Sequence, residues 1–358
     1  MRELNIIPLE DVCCREWIHI RGIRRYQEKE LATPESFRQD LSALYPHNQG
    51  GASLTVLLYH RVLRQPDPML PSDLDAATFD AQLSSLSRVF RVLSLEDALG
   101  RLRNGTLPAR ALSITFDDGY RDNIEVAVPI LKQNGMTATF FIATGFLGSG
   151  RMMHDTVIET LRRLPSQQID LEWIGLGKRA IDEVSSRVTI ADDFMRKIKY
   201  RSLHEGLIAC ERLAQGVHAS LPIDLMMTSE HVVLLASAGM SVGAHTHDHA
   251  ILSGLDAAEG YSQIIKSRNV LTDILGSAPN MFAYPNGKPN IDYRSTHVEM
   301  VRRAGFLGAA SVSIGTATRT SDHFQVPRFV PWDRNPALLI LRILAHRWRY
   351  RGTQIVSS

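Results

Sequence analysis

Along the chain, apolar stretches alternate between two periods. Residues 54–59 form a continuous apolar run rich in strand formers, which predicts a buried strand, and the apolar positions 79, 83, 86, 89 and 90 have the spacing of a helix. Residues 112–116 predict a second buried strand, followed by a helix over 123–134 that Gly135 is placed to stop. A third strand is expected over 137–143. After residue 226 the alternation resumes, with a helix over 230–238, a strand over 241–244, a long helix over 257–275, a strand over 280–284 and a helix over 297–304. Short strands are predicted near 308–312 and 324–329. Strands alternating with helices imply a parallel α/β sheet, either doubly wound or closed as a barrel.

Three regions break this pattern. Residues 1–50 carry scattered apolar positions, end in turn-rich residues and are expected to form an N-terminal extension. Residues 150–226 are charged and poor in strand signals, which predicts a helical insertion within a main domain spanning 51–335. At the end, 336–358 place Leu338, Leu339, Leu341, Ile343 and Leu344 ahead of Arg342, His346, Arg347, Arg349 and Arg351, an amphipathic helix with a basic end. Such a helix either docks on the core or makes peripheral contact with a membrane.

Composition narrows the function. Forty basic against 38 acidic residues give a formal charge of +2, which argues against a nucleic-acid partner and for a neutral small molecule or glycan. The three cysteines, Cys13, Cys14 and Cys210, have neither disulfide-framework nor zinc-ribbon spacing and are expected to be free thiols. No apolar run is long enough to span a bilayer and the first thirty residues lack a signal-peptide core, so a cytoplasmic location is expected.

The candidate chemistry falls at strand ends, where parallel α/β proteins bind ligands. Asp117, Asp118 and Gly119 follow the strand 112–116. Two adjacent carboxylates repel unless a cation or hydrogen bonds offset the charge, so a divalent metal is the natural partner, although such a turn can also merely cap a helix. His245, His247 and His249 follow the strand 241–244, and imidazole is a common metal ligand. Spacing alone leaves open whether 245 pairs with 247 or with 249. Two weaker signals are His60, at the end of the first strand, and the segment Phe282, Ala283, Tyr284, Pro285, Asn286, Gly287.

In this order the segments resemble the polysaccharide deacetylase family, the chitooligosaccharide-deacetylase homology domain of carbohydrate esterase family 4, over about residues 54–332. The resemblance implies a distorted (β/α) barrel of about seven strands. It also implies that Asp117 is the catalytic base and that Asp118, His245 and His249 hold one divalent ion, zinc by default, with iron, cobalt or nickel also suited to the set. His247 becomes a neighbour. The backbone amide of Asn286 is implied as an oxyanion donor, and Tyr120 and Tyr284 are expected to bind substrate. Where well-known members carry a base-orienting arginine, this chain has Ala283; Arg328 is the candidate replacement. The FAYPNG segment and the early Tyr59-His60 pair look like the circularly permuted branch containing exopolysaccharide poly-N-acetylglucosamine deacetylases, which makes His60 the implied general acid. The expected reaction is removal of acetyl groups from N-acetylated sugars of a polysaccharide, oligosaccharide or lipid-linked precursor. Two rival readings are an amidohydrolase-like enzyme using His245 and His247 in a binuclear HxH site, and a non-catalytic glycan-binding relative.

Overall fold

The computed structural model describes residues 52–148, 150–165, 167–216 and 220–350, so the expected extension over 1–50 and the last eight residues lie outside it. The first strand, β1 (Ser53–Tyr59), is buried at every position, as its unbroken apolar run requires. A short pair, β2 (Val62–Leu63) and β3 (Leu74–Asp75), leads into α1 (Ala76–Val89), whose first turn is capped by the Asp75 carboxylate accepting from Thr78 N. After β4 (Arg91–Val92), α2 (Leu95–Asn104) turns its Leu95, Ala98, Leu99 and Leu102 into a cluster with Val56, Phe141, Ala283 and Ala310 from the strands.

Next come β5 (Ala111–Phe116), a π turn (Asn123–Ala127), α3 (Val128–Gln133) and β6 (Thr139–Ile142). The helix expected over 123–134 is thus irregular at its start, where Pro129 has no N–H to give. The insertion contains α4 (Met153–Arg163), a hairpin of β7 (Gln168–Leu171) and β8 (Gly177–Ala180), α5 (Val184–Ile198) and α6 (Leu203–Ala214). Its own apolar cluster includes Val157, Leu161, Ile174, Val188 and Phe194, joined by Leu63, Met69 and Leu70 from the main domain. The hairpin corrects the purely helical expectation: its strands are largely exposed, so they lack the apolar alternation of a half-buried sheet. The remaining elements are α7 (Ser229–Ser237), β9 (Ser241–Ala244), α8 (Ala257–Leu275), β10 (Met281–Ala283), α9 (Ser295–Arg303), β11 (Gly308–Ala310), β12 (Ala317–Thr318) and α10 (Pro336–Arg349).

The strand order β11-β10-β9-β6-β5-β1 is parallel throughout, with β12 antiparallel on β1 and β4 beside β5. Residues 326–329 span the gap between β11 and β1: Val326 N donates to Ala309 O at 2.8 Å, and Phe329 N to Val56 O at 2.7 Å. This seam corrects the strand expected over 324–329. Val326 and Phe329 make only isolated parallel bridges, to Ala310 and Leu57, because Pro327 between them cannot donate to a ladder. The sheet therefore curls into a distorted (β/α) barrel with the seam in a seventh position.

Helix α10 starts at an Asn335 cap followed by Pro336 and buries Leu339, Ile340, Ile343 and Leu344. Its basic end is only partly outward, which corrects the simple amphipathic reading. Arg347 is buried and donates to Ser53 O at 3.0 Å, Ala111 O at 3.1 Å and Thr55 Oγ1 at 2.8 Å, binding the first residues of β1 and β5. Replacing Arg347 by Met strands these buried acceptors and is expected to destabilise the protein by roughly 2–4 kcal/mol. Urea unfolding should show a lower midpoint with an unchanged slope, and an unchanged midpoint would remove Arg347 from the structural framework.

Candidate active site at the carboxyl ends of the strands

Side chains alternate along β5, so Phe116 points outward, stacking on Phe140 at 4.7 Å, and Asp117 points into the barrel mouth. Beyond it the chain turns sharply: Asp118 has φ 77° and Gly119 φ 91°. A side chain at Gly119 would also press on Ile142, its Cβ lying 3.2 Å from Cγ2. Asp118 and Ala143 share a backbone hydrogen bond of 3.2 Å, which fixes this turn to the end of β6.

Asp117 is almost wholly buried and is gripped by a guanidinium fork. Arg328 Nη1 donates to its Oδ1 at 2.7 Å and Nη2 to its Oδ2 at 2.8 Å, while Arg328 Nε donates to Ser311 O at 3.1 Å. Burial alone would raise the Asp117 pKa, but the charges of Arg328 and His245 and the fork hydrogen bonds outweigh it and hold the group at about 2. Asp117 is therefore ionised at neutral pH. Its Oδ2 lies 3.8 Å from His245 Nε2.

His245 leaves β9 still hydrogen-bonded to Ile142 O, with its ring buried. The Nδ1 atom lies 2.8 Å from Ala283 O, an acceptor, so the proton sits on Nδ1 and the lone pair of Nε2 faces Asp118. Thr246 and His249 take left-handed conformations, φ 57° and 52°, and fold the His249 ring back beside that of His245, with centroids 4.9 Å apart. Asp118 Oδ1 is 3.5 Å from His245 Nε2 and 3.3 Å from His249 Nε2, and one ligand atom from each residue lies within 4.8 Å of the others. Desolvation lowers the pKa of His245 to about 4 and that of His249 in the same direction, so both are neutral at pH 7. The buried Asp118 Oδ1 has no hydrogen-bond partner. A carboxylate oxygen without a donor, set close to the Nε2 atoms of two neutral imidazoles, is a donor set that fits a divalent cation.

The family model for polysaccharide deacetylase matches residues 104–173 and 216–308, which contain the aspartate pair and the histidine cluster. The chain belongs to the polysaccharide deacetylase family. It is accordingly a hydrolase whose reaction class is deacetylation of glycans. It is similar to YxkH of Bacillus subtilis (strain 168), 20% identical over 303 residues that make up 84% of this chain and 79% of that protein. Among solved structures it resembles the Streptococcus pyogenes deacetylase PplD in complex with acetate, with a TM-score of 0.56, 18% identity and coverage of 82% of this chain and 98% of that one. It also resembles IcaB from Ammonifex degensii, with a TM-score of 0.51, 19% identity and coverage of 81% and 97%. At these identities the likeness shows the fold.

The other motif residues of this deacetylase separate into those near the mouth and those committed elsewhere. His60 is exposed directly after β1, its backbone held by Asn123 Nδ2 donating to His60 O at 2.8 Å. Asn286 is half-buried in a left-handed turn, φ 56°. Ala283 contributes the carbonyl that orients His245. His247 points away, its Nδ1 2.9 Å from Thr144 Oγ1, so the HxH pair does not converge on one site. Tyr284 corrects the substrate-binding expectation: it is buried, stacked on Tyr293 at 3.9 Å, with its hydroxyl donating to Phe324 O. Tyr120 is also buried, its hydroxyl on Asp155 Oδ1 at 3.1 Å and its ring under the Arg61 guanidinium at 4.5 Å. Both rings serve packing.

One cluster was invisible in the sequence. Arg61, beside His60, pairs with Asp122 at 2.7 Å and lies 3.9 Å from Asp155 of the insertion, tying the segments that follow β1 and β5 to the first turn of α4. Its members adjoin the two motifs, but only the fold pairs them.

Replacing Arg328 by Met leaves Asp117 as a buried, uncompensated charge, with an expected cost of about 3–5 kcal/mol. The double variant Arg328→Met with Asp117→Asn should recover most of that loss in a thermal or urea melt. Because the folded pKa of Asp117 is depressed from 3.8 to about 2, its contribution is full above the unfolded value and is lost as pH falls through that window. The double variant should show a shallower pH dependence there. An additive double variant would dissolve the pairing.

Proposed function

We propose that this deacetylase hydrolyses the acetamide of N-acetylated amino sugars in a polysaccharide, an oligosaccharide or a lipid-linked glycan. The observation that carries the reading is the orphaned Asp118 Oδ1 between His245 and His249, with the ionised Asp117 beside them. Asp118, His245 and His249 would hold one divalent ion, zinc by default, with iron, cobalt and nickel compatible with the same donors. Such an ion, when bound, supplies Lewis-acid polarisation of the acetyl carbonyl and acidifies water.

The protein's own groups then divide the proton transfers. Asp117 accepts a proton from the attacking water at a carboxylate oxygen, kept in place by the Arg328 fork. Asn286 N–H is the proposed donor to the oxygen that gains charge as the carbonyl carbon becomes tetrahedral. His60, as imidazolium, gives a proton to the sugar nitrogen as the C–N bond breaks, so that the products are acetate and a free amine. An amide needs that last proton more than an ester does, because an unprotonated amine is a poor leaving group. The exposed His60 therefore favours N-deacetylation.

Acetate release should be measured on N-acetylglucosamine oligomers, lipid-linked N-acetyl sugars and O-acetylated glycans, with and without a chelator. Release from the N-acetyl substrates that chelation abolishes and added metal restores is the expected result. Full activity after complete metal removal would overturn the proposed ligand role. In the metal-loaded protein, Asp117→Asn is expected to retain the ion and lose at least about a hundredfold in turnover. His249→Ala should instead lower the metal stoichiometry itself, read by elemental analysis, and an unchanged stoichiometry would exclude His249 as a ligand.

A further inference from the structure

Helix α10 has two apolar faces. The inner one packs on the barrel, whereas Leu338 is 46% exposed, Leu341 48% and Trp348 78%, the most exposed large apolar side chain among the described residues. With the exposed Ala345 they occupy positions 338, 341, 345 and 348, a spacing that aligns them on one side of a helix. Trp332, 36% exposed, stands just ahead of the helix.

Charge distinguishes what this face can meet. The helix contains no acidic residue. Arg342 is paired with Asp333, but Arg349 is exposed beside Trp348. The bond from Arg347 to Ala111 O sets this end of the helix at the start of β5, where Arg91 pairs with Ala111 and accompanies Arg110 through a 3.0 Å backbone bond. Arg88, exposed in the last turn of α1, leads to the same end. Arg88, Arg91, Arg110 and Arg349 thus lie toward the end of the helix that carries the most exposed tryptophan. A second copy of this acid-free face offers those arginines no complementary charge, whereas anionic headgroups do. Tryptophan and arginine flanking an apolar stripe suit the boundary between headgroups and acyl chains.

We infer that the outer face of α10 docks the protein on an anionic lipid surface. The helix starts three residues after Asp333, whose carbonyl accepts from Gln82, and reaches the first residues of β1 and β5, so the stripe lies along the barrel flank. Docked this way, the barrel axis follows the bilayer plane and the mouth opens sideways over it. No described helix is long and apolar enough to cross the membrane. The docking stands whether or not the proposed reaction is correct.

The full-length protein should be sedimented with vesicles of phosphatidylcholine alone and of an equal mixture with phosphatidylglycerol. The expected result is binding to the mixed vesicles that is at least about tenfold tighter than to the neutral ones and weakens with added salt. The double variant Leu341→Glu with Trp348→Glu changes only exposed positions; it should keep the wild-type melting temperature and lose vesicle binding. Absence of binding, equal binding to both vesicle types, or undiminished binding by the variant would each overturn the inference. Concentration-dependent dimerisation in vesicle-free analytical ultracentrifugation, abolished by the same variant, would assign the face to a second copy and overturn it as well.

Discussion

The buried pair of Arg328 and Asp117 is the interaction on which the rest of the site depends. A carboxylate at the barrel mouth, out of water and close to a second carboxylate, has a strong reason to take up a proton. The guanidinium cancels that tendency with two hydrogen bonds in one plane, leaving Asp117 ionised and its orientation fixed. The fork is possible because residues 326–329 close the gap between β11 and β1. Val326 bonds one edge, Phe329 bonds the other, and Arg328 between them projects inward. Closure of the barrel and preparation of the proposed base are thus the same event.

The backbone around this pair is held in conformations that ordinary residues avoid. Six non-glycine residues among those described have positive φ, and Asp118, Thr246, His249 and Asn286 are four of them. Each such residue costs on the order of 1–3 kcal/mol and persists only where surrounding structure over-determines it. Here the Asp118 carbonyl is tied to Ala143, His245 is anchored on Ile142 and Ala283, and the His247 and Asp248 amides both donate to Gln263 Oε1. These bonds aim three donor groups at one point while leaving Asp118 Oδ1 without a hydrogen bond. Strain concentrated around an unsatisfied oxygen is what a preorganised cation site requires. A site that gained its order only on binding would need no such framework.

Local patterns carried much of this reading. The aspartate pair and the histidine cluster are each contiguous in sequence, and strand ends are legible because buried parallel strands are short, apolar and followed by turn residues. The long helix over 257–275 was legible to the residue, since Asp256 caps it and Gly276 ends it in a left-handed turn. Tyr120 and Tyr284 misled because a motif position does not say which way a side chain faces, and on the strand segment 282–284 alternate residues face opposite sides. Arg328 could be nominated but not placed. Its partner is 211 residues away, and no periodicity links a seam residue beside β1 to the end of the neighbouring strand β5. The hairpin of the insertion was missed because exposed strands carry no hydrophobic alternation.

The C-terminal helix supports the pair of Arg328 and Asp117 although it lies far from the chemistry. Alternation along the seam turns Phe329 outward as Arg328 turns inward, and α10 receives the Phe329 ring between His346, at 5.2 Å, and the Arg342 guanidinium, also at 5.2 Å. Next to His346, Arg347 holds the starts of β1 and β5, the two strands that carry His60 and Asp117 at their far ends. One helix therefore fixes the seam from outside and both strands from below. A shift of α10 would be transmitted through Phe329 to the fork, because a four-residue segment interrupted by proline has little ladder of its own to resist it. A surface on the outer face of the same helix is thus mechanically continuous with the proposed base, through packed side chains and two backbone hydrogen bonds.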